Sequence, residues 1–160
     1  MTDELSAAAD PRLYTAHPLV GVGVVVIRDG QVLLIRRAKP PRAGQWSLPG
    51  GMQQIGETVR EAGIREVREE TGLEVTLHDL LDVIDMIEPD DAGRVRRHYT
   101  LIDFRGTAAA GEPVAGDDAA DARWFTPEEL TMLDLWSKTR AVIDQALARA
   151  GAAGTGTPEG

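Results

Sequence analysis

The sequence predicts an α+β fold in which a mixed β-sheet is sandwiched between helices, an α/β/α arrangement. Three observations predict it. A Val-rich run, Leu19 to Arg28 (LVGVGVVVIR), meets a second apolar run, Gln31 to Arg37 (QVLLIRR), across Asp29-Gly30, a strong hairpin turn pair. A capped helix signature spans Thr58 to Gly72. The chain then closes on a second helical pattern, from Ser137 to Ala150.

Taken in order, residues Met1 to Pro18 carry two prolines and read as a flexible arm. A single domain follows, residues 19–150. Within its first strand, Gly21 and Gly23 suggest a close backbone approach or a nearby ligand. Ala38 to Gln45 is a Pro- and Gly-containing loop. Trp46-Ser47-Leu48 reads as a short strand, with Trp46 in the core, and Pro49-Gly50-Gly51 as a turn. In the helix, Thr58 with Glu61 forms a capping box, Gly72 suits a left-handed C-cap, and Glu61 pairs with Arg65 at i, i+4. Gly63, Ile64 and Val67 can face the sheet while Arg60, Glu61 and Arg68 face solvent. Glu74 to Glu88 contains one or two strands, Pro89 to Gly93 a turn, and Val95 to Phe104 another strand. Arg105 to Ala120 reads as a loop and Ala122 to Phe125 as a last short strand. Thr126-Pro127-Glu128-Glu129 is an emphatic helix start, with the helix running to about Leu133. Val142, Ile143, Ala146 and Leu147 give the final helix its apolar stripe, and residues 151–160 form a low-complexity tail expected to be disordered.

Composition narrows the function classes. The 160 residues suit one domain with a real core, and 42% apolar with 27% charged content is ordinary for a globular protein. A net charge of −9 argues against nucleic acid as a non-specific partner. An acidic chain can still bind a polyphosphate through metal ions. There is no cysteine, hence no disulfide and no thiol catalysis. No apolar run is long enough to span a membrane, and no basic-then-apolar leader is seen. The default expectation is a cytoplasmic protein.

Chemistry concentrates between Gly51 and Leu73. Glu66, Glu69 and Glu70 stand at i, i+3 and i+4, within an arc of about 100° on a helix. Carboxylates so close repel, unless a hard divalent cation such as Mg²⁺ or Mn²⁺ uses them as ligands. The stretch resembles the Nudix box: a Gly, five residues, a Glu, seven residues, then R-E-U-x-E-E-x-G-U with U apolar. Gly51, Glu57, Arg65, Glu66, Val67, Glu69, Glu70, Gly72 and Leu73 fill every defined position. A merely solvated acidic face would need neither Gly51 nor Glu57.

The resemblance implies the Nudix-type α/β/α sandwich and Mg²⁺-dependent hydrolysis of the diphosphate bond of a nucleoside diphosphate joined to another group, with Mn²⁺ as a substitute. It implies Glu66 and Glu70 as metal ligands, Glu69 as a third, direct or through water, and the backbone carbonyl of Gly50 as a further ligand. Glu57 would support a second ion or pair with Arg65, and Arg65 would orient the glutamates. Arg37, second of a strand-ending pair, would contact a substrate phosphate. For Arg36 an exposed charge is the simpler reading. A general base often comes from a later loop; Glu112, Asp117, Asp118 and Asp121 are available there, and Asp118, six residues before Trp124, is the candidate. His17, His78 and His98 do not cluster and read as structural, although His98 on its strand could line the cleft. Pro89, sixteen residues after Leu73, matches a mark of the ADP-ribose pyrophosphatase branch. The resemblance therefore favours ADP-ribose, giving AMP and ribose 5-phosphate, or a related nucleoside diphosphate sugar. The alternatives are a (deoxy)nucleoside triphosphate pyrophosphohydrolase, a non-catalytic nucleotide-sensing module, and an acidic interaction protein with no ligand. A homodimer is expected only by analogy with the family.

Overall fold

The computed structural model describes residues 10–39, 42–116 and 118–153. Residues 1–9 of the expected arm and 154–160 of the expected tail therefore lie outside the described residues. Residues 10–18 lie against the body: the Tyr14 N–H donates to the Arg96 carbonyl (2.9 Å) and the Tyr14 hydroxyl to Asp90 (2.8 Å).

Among the described residues the elements run β1 (Leu19–Arg28), β2 (Gln31–Arg37), β3 (Trp46–Ser47), β4 (Gly50–Met52), α1 (Val59–Thr71), β5 (Val75–Pro89), β6 (Val95–Ala108), β7 (Ala119–Phe125), α2 (Pro127–Leu130) and α3 (Ser137–Ala153). The sheet order is β3-β2-β1-β6-β5, with β4 paired to β1 and β7 to β2. β1 and β6 run parallel at the centre while the other pairs are antiparallel, so the sheet is mixed.

The Val run explains the sandwich. Successive side chains of a strand point to opposite faces. Val22, Val24 and Val26 pack toward α1, where Ala62 and Val67 are buried. Val25 and Ile27 join Leu34, Phe125, Val142, Ile143 and Ala146 on the α3 side. A strand covered on both faces must be apolar throughout, which is why β1 lacks polar alternation. Trp46 joins the α3-side core, half-buried and edge-to-face on Phe125, with ring centroids 4.8 Å apart.

Several boundaries differ from the sequence reading. Gly50 and Gly51, expected within a Pro49-Gly50-Gly51 turn, belong to the strand Gly50–Met52, which pairs Gly50 with Gly23 and Met52 with Gly21. Glycine has no strand propensity of its own, so this pairing is imposed by β1. Glu74–Glu88 resolves into the single long β5, with register shifts between Leu77 and Asp82. The loop expected from Arg105 is shorter at both ends. β6 continues through Gly106 and Thr107 because β1 and β5 flank it, and β7 begins at Ala119 against Arg37. The helix expected to reach Leu133 ends at Leu130, and α3 extends to Ala153.

Phe125, 1% exposed, sits where β7, β2 and α3 meet. Phe125→Ala should lower unfolding free energy by about 3–5 kcal/mol, read from chemical denaturation midpoints at unchanged slope.

Candidate active site

Helix α1 carries the acidic residues, and its ends are pinned as its sequence requires. Thr58 accepts from the Glu61 N–H (3.1 Å) while Glu61 accepts from the Thr58 N–H (2.9 Å). Gly72, at φ 73°, closes the other end. With Ala62, Gly63 and Val67 buried on the sheet, Glu66 and Glu70 fall on the flank facing β4 and Glu69 is exposed. Gly51 has no side chain because the Glu66 carboxylate occupies the space a Cβ would take.

The β6–β7 connection crosses the end of α1. Val114 N–H donates to the Thr71 carbonyl (2.9 Å) and Gly116 N–H to the Glu70 carbonyl (3.0 Å), satisfying two groups that a helix terminus leaves open. This docking carries Asp118 to the acids: a cavity of about 270 Å³ is lined by Glu66, Glu69, Glu70 and Asp118. Asp118 is largely exposed and pairs with Lys39 Nζ at 2.8 Å.

Arg65 holds the cluster. Its Nε and Nη2 donate to the two oxygens of Glu57 (2.9 and 2.6 Å), its Nη1 to Glu66 (2.8 Å) and Glu69 (3.2 Å), and its Nη2 also to the Met52 carbonyl (3.0 Å). The fork on Glu57 is the geometry only a guanidinium supplies. It draws the Glu57 carboxyl down to about 2, helped by the Gln54 N–H, and the cluster raises Arg65 in turn. Glu57 is therefore an ion-pair partner of Arg65, one of its two expected roles.

Glu66 and Glu70 behave differently. Burial raises Glu66 despite Arg65. Burial first, then the Glu66 charge, pushes Glu70 up to about 8, against the Gly50 N–H (3.3 Å) and the charge of Arg37. The two carboxyls lie within reach of each other and are both raised, so their titration belongs to the pair. Arg37 is half-buried, lowered chiefly by desolvation, and close enough to feel Glu70. Arg36 is exposed, as expected.

The structure thus gathers Glu66, Glu69, Glu70 and Asp118 around one cavity, with Arg65, Glu57, Gly50 and Arg37 around them. Gly50 reaches the acids through its N–H. Among the described residues no three acidic, histidine or cysteine side chains already converge on one point, since Arg65 holds Glu66 and Glu69. The donor set still fits a hard divalent ion: it is all oxygen, and desolvation, with neighbouring carboxylate charge, raises half-buried Glu66 and Glu70, a penalty that a cation between them would relieve. His78 bonds Thr107 (2.8 Å) and His17 faces the Pro18 carbonyl (3.3 Å). With His98, His17 lines a separate hollow under residues 15–18, so His98 does not line the acidic cavity. Sequence reasoning missed Lys39 and the Met52 carbonyl. Neither carries a local signal, because both act through tertiary contacts.

Residues 17–146 match the family model of the NUDIX domain. The chain belongs to the Nudix family. It is 41% identical to an ADP-ribose pyrophosphatase of Methanocaldococcus jannaschii over 122 residues, covering 76% of this chain and 69% of that one. It is also 41% identical to a putative 8-oxo-dGTP diphosphatase 2 of Mycobacterium tuberculosis over 114 residues, covering 71% and 77%. Among solved structures, a MutT NUDIX hydrolase from Burkholderia pseudomallei superposes with a TM-score of 0.66 at 34% identity, covering 81% of this chain and 98% of that one. The protein is a Nudix hydrolase with the family's mixed-sheet sandwich. No helix of the described residues is long and apolar enough to cross a membrane.

The raised Glu70 carboxyl makes this Nudix site pH-sensitive. Glu70 binds its proton more tightly folded than unfolded, so the stability it contributes without metal is full below the ordinary carboxyl value of 4.5 and is lost as pH rises through about 8. Metal-free Tm should fall across that window, and added Mg²⁺ should raise Tm most at its upper end. Calorimetric Mg²⁺ titrations at pH 7 in buffers of different ionisation enthalpy should detect proton release, which Glu70→Gln removes.

Proposed function

We propose that this Nudix hydrolase cleaves the diphosphate bond of a nucleoside diphosphate joined to another group, with ADP-ribose as substrate and AMP and ribose 5-phosphate as products. The observation that carries this reading is the half-buried Glu66–Glu70 pair opening on a cavity shared with Glu69 and Asp118 and neighboured by Arg37. Such a site suits a metal-bridged diphosphate. The 41% identity to the archaeal ADP-ribose pyrophosphatase supports the choice of substrate, and Pro89 is consistent with it.

Mg²⁺, or Mn²⁺ in its place, held by Glu66, Glu70 and the Gly50 carbonyl, with Glu69 completing the set, would screen the diphosphate charge and acidify a bound water. Arg65 keeps Glu66 and Glu69 aimed at that position. Arg37 presents a fork to a phosphate oxygen. Asp118 and Glu69, the exposed acids of the cavity, are the groups positioned to take the proton of the attacking water. The water oxygen forms a bond to one phosphorus, the bridging P–O bond breaks, and the bridging oxygen leaves with the other phosphate.

A second reading is favoured by one observation, the equal identity to the putative 8-oxo-dGTP diphosphatase: hydrolysis of (deoxy)nucleoside triphosphates to monophosphate and pyrophosphate. Product analysis separates the two. AMP with ribose 5-phosphate from ADP-ribose in Mg²⁺ is the expected result. Pyrophosphate from triphosphates, with ADP-ribose untouched, overturns it.

Within the site the acids and the arginine should separate by magnitude. Glu70→Gln should lower kcat/KM by about 10²- to 10³-fold or more with the fold retained by circular dichroism. Arg65→Lys, which keeps the charge but loses the fork, should cost about 10- to 100-fold.

A further inference from the structure

Among the described residues, Thr71 and Asp103 are the buried polar or charged side chains. Thr71 is satisfied, donating to the Val67 carbonyl at 2.6 Å. Asp103, 7% exposed, has no hydrogen bond or ion pair from its carboxyl among the described residues, yet its oxygens keep contact with solvent. It stands in the middle of β6, beside Gly23 of β1 and opposite Asp82 of β5, a second acid that cannot compensate it. A buried carboxyl without a partner costs stability, and one retained in a folded chain calls for a ligand or a function.

The surroundings of Asp103 have the character of a binding surface. A Cβ at Gly23 would lie 2.5 Å from Asp103 Oδ1 and 3.5 Å from Leu48 Cδ1. A Cβ at Gly21 would lie 2.8 Å from Leu101 Cδ2 and 3.1 Å from Met52 Cε. Three apolar side chains and one carboxyl therefore lean over bare backbone, the mixture of apolar walls and a single polar group typical of small-molecule sites. Leu48 and Met52 flank Gly50, whose N–H holds Glu70. Since β6, β1 and β4 are successive neighbours, Asp103 stands two strand spacings, about 10 Å, from Gly50. That is comparable to the reach from the diphosphate of a nucleotide to the edge of its base.

We infer that Asp103 reads the nucleobase of the substrate, accepting a hydrogen bond from the exocyclic amine of adenine while Leu48, Met52 and Leu101 contact the ring. The inference rests on the adenine nucleotide reading above. A planar ring matches apolar side chains over glycines; a phosphate does not, because an acid would repel it. Burial, then Asp82, pushes Asp103 up to about 6, so at pH 7 and above it is mainly the ionised, acceptor-only form that an amine requires.

The test compares ADP-ribose with its hypoxanthine counterpart, IDP-ribose, in which a carbonyl replaces the 6-amino group. The wild type should prefer ADP-ribose in kcat/KM by about 10- to 100-fold. Asp103→Asn presents either an amide oxygen or an N–H, so its preference should collapse to within a few-fold. A purely structural role would weaken both substrates equally, and an unchanged ratio overturns the inference; Asp103→Ser serves the same comparison if the Asn variant does not fold. Failure to hydrolyse ADP-ribose would overturn the substrate reading alone. The base comparison then runs on ATP against ITP turnover, or on AMP against IMP binding by calorimetry: a collapsed preference in the variant supports base reading, and an unchanged one overturns it.

Discussion

One guanidinium among four acceptors is the interaction on which the site depends. Helix α1 sets Glu66, Glu69 and Glu70 on one flank, and Glu57 arrives from the preceding loop. Their mutual repulsion has to be balanced. Arg65 does this with directional bonds to Glu57, Glu66, Glu69 and the Met52 carbonyl, joining helix, loop and β4 in one network. Exposed ion pairs are worth little, but these side chains are 12–18% exposed for Glu57, Arg65 and Glu66, where screening is weaker. Arg65 does not neutralise Glu70. Left under Glu66 and away from that cation, Glu70 keeps a proton at neutral pH.

The rest of the fold brings groups to that network from outside the helix. β4 pairs with β1 and delivers the Gly50 N–H to Glu70 and the Met52 carbonyl to Arg65. The connection after β6 caps the end of α1 and carries Asp118 to the cavity mouth. β2 ends at Arg37, whose charge reaches Glu70. The carboxylate ligand candidates thus sit on a rigid helix, while one of the two candidate proton acceptors, Asp118, arrives on a loop, which suits positions that must be held and positions that vary with substrate.

The face of the sheet turned away from α1 supplies a different chemistry. Its edge near β4 is cleared by Gly21 and Gly23 and lined by Leu48, Met52 and Leu101, with the Asp103 carboxyl beside Gly23. A diphosphate and an aromatic base make opposite demands, charge screening for one and apolar contact for the other. The join of β4 to β1 lets the two surfaces meet at Gly50.

What the sequence determined by itself was whatever depends on local spacing. The capping box, the left-handed Gly72, the Val-rich β1 and the box residues all follow from fixed offsets along one strand or one helix, and each is where its offset requires. The fold class and the family were legible for that reason. Asp103 left a faint mark, an acid inside the apolar run LIDF, and the strand glycines left another. Tertiary structure decided the rest. Gly50–Met52 became a strand because β1 offered its edge, and Lys39 and Met52 joined the site through contacts distant in sequence. Glu57 and Glu70, both box glutamates, diverged to about 2 and about 8. Hydrogen bonds from Arg65 and the Gln54 N–H set the first value, burial and the Glu66 charge the second, and none of these exists until the chain has folded.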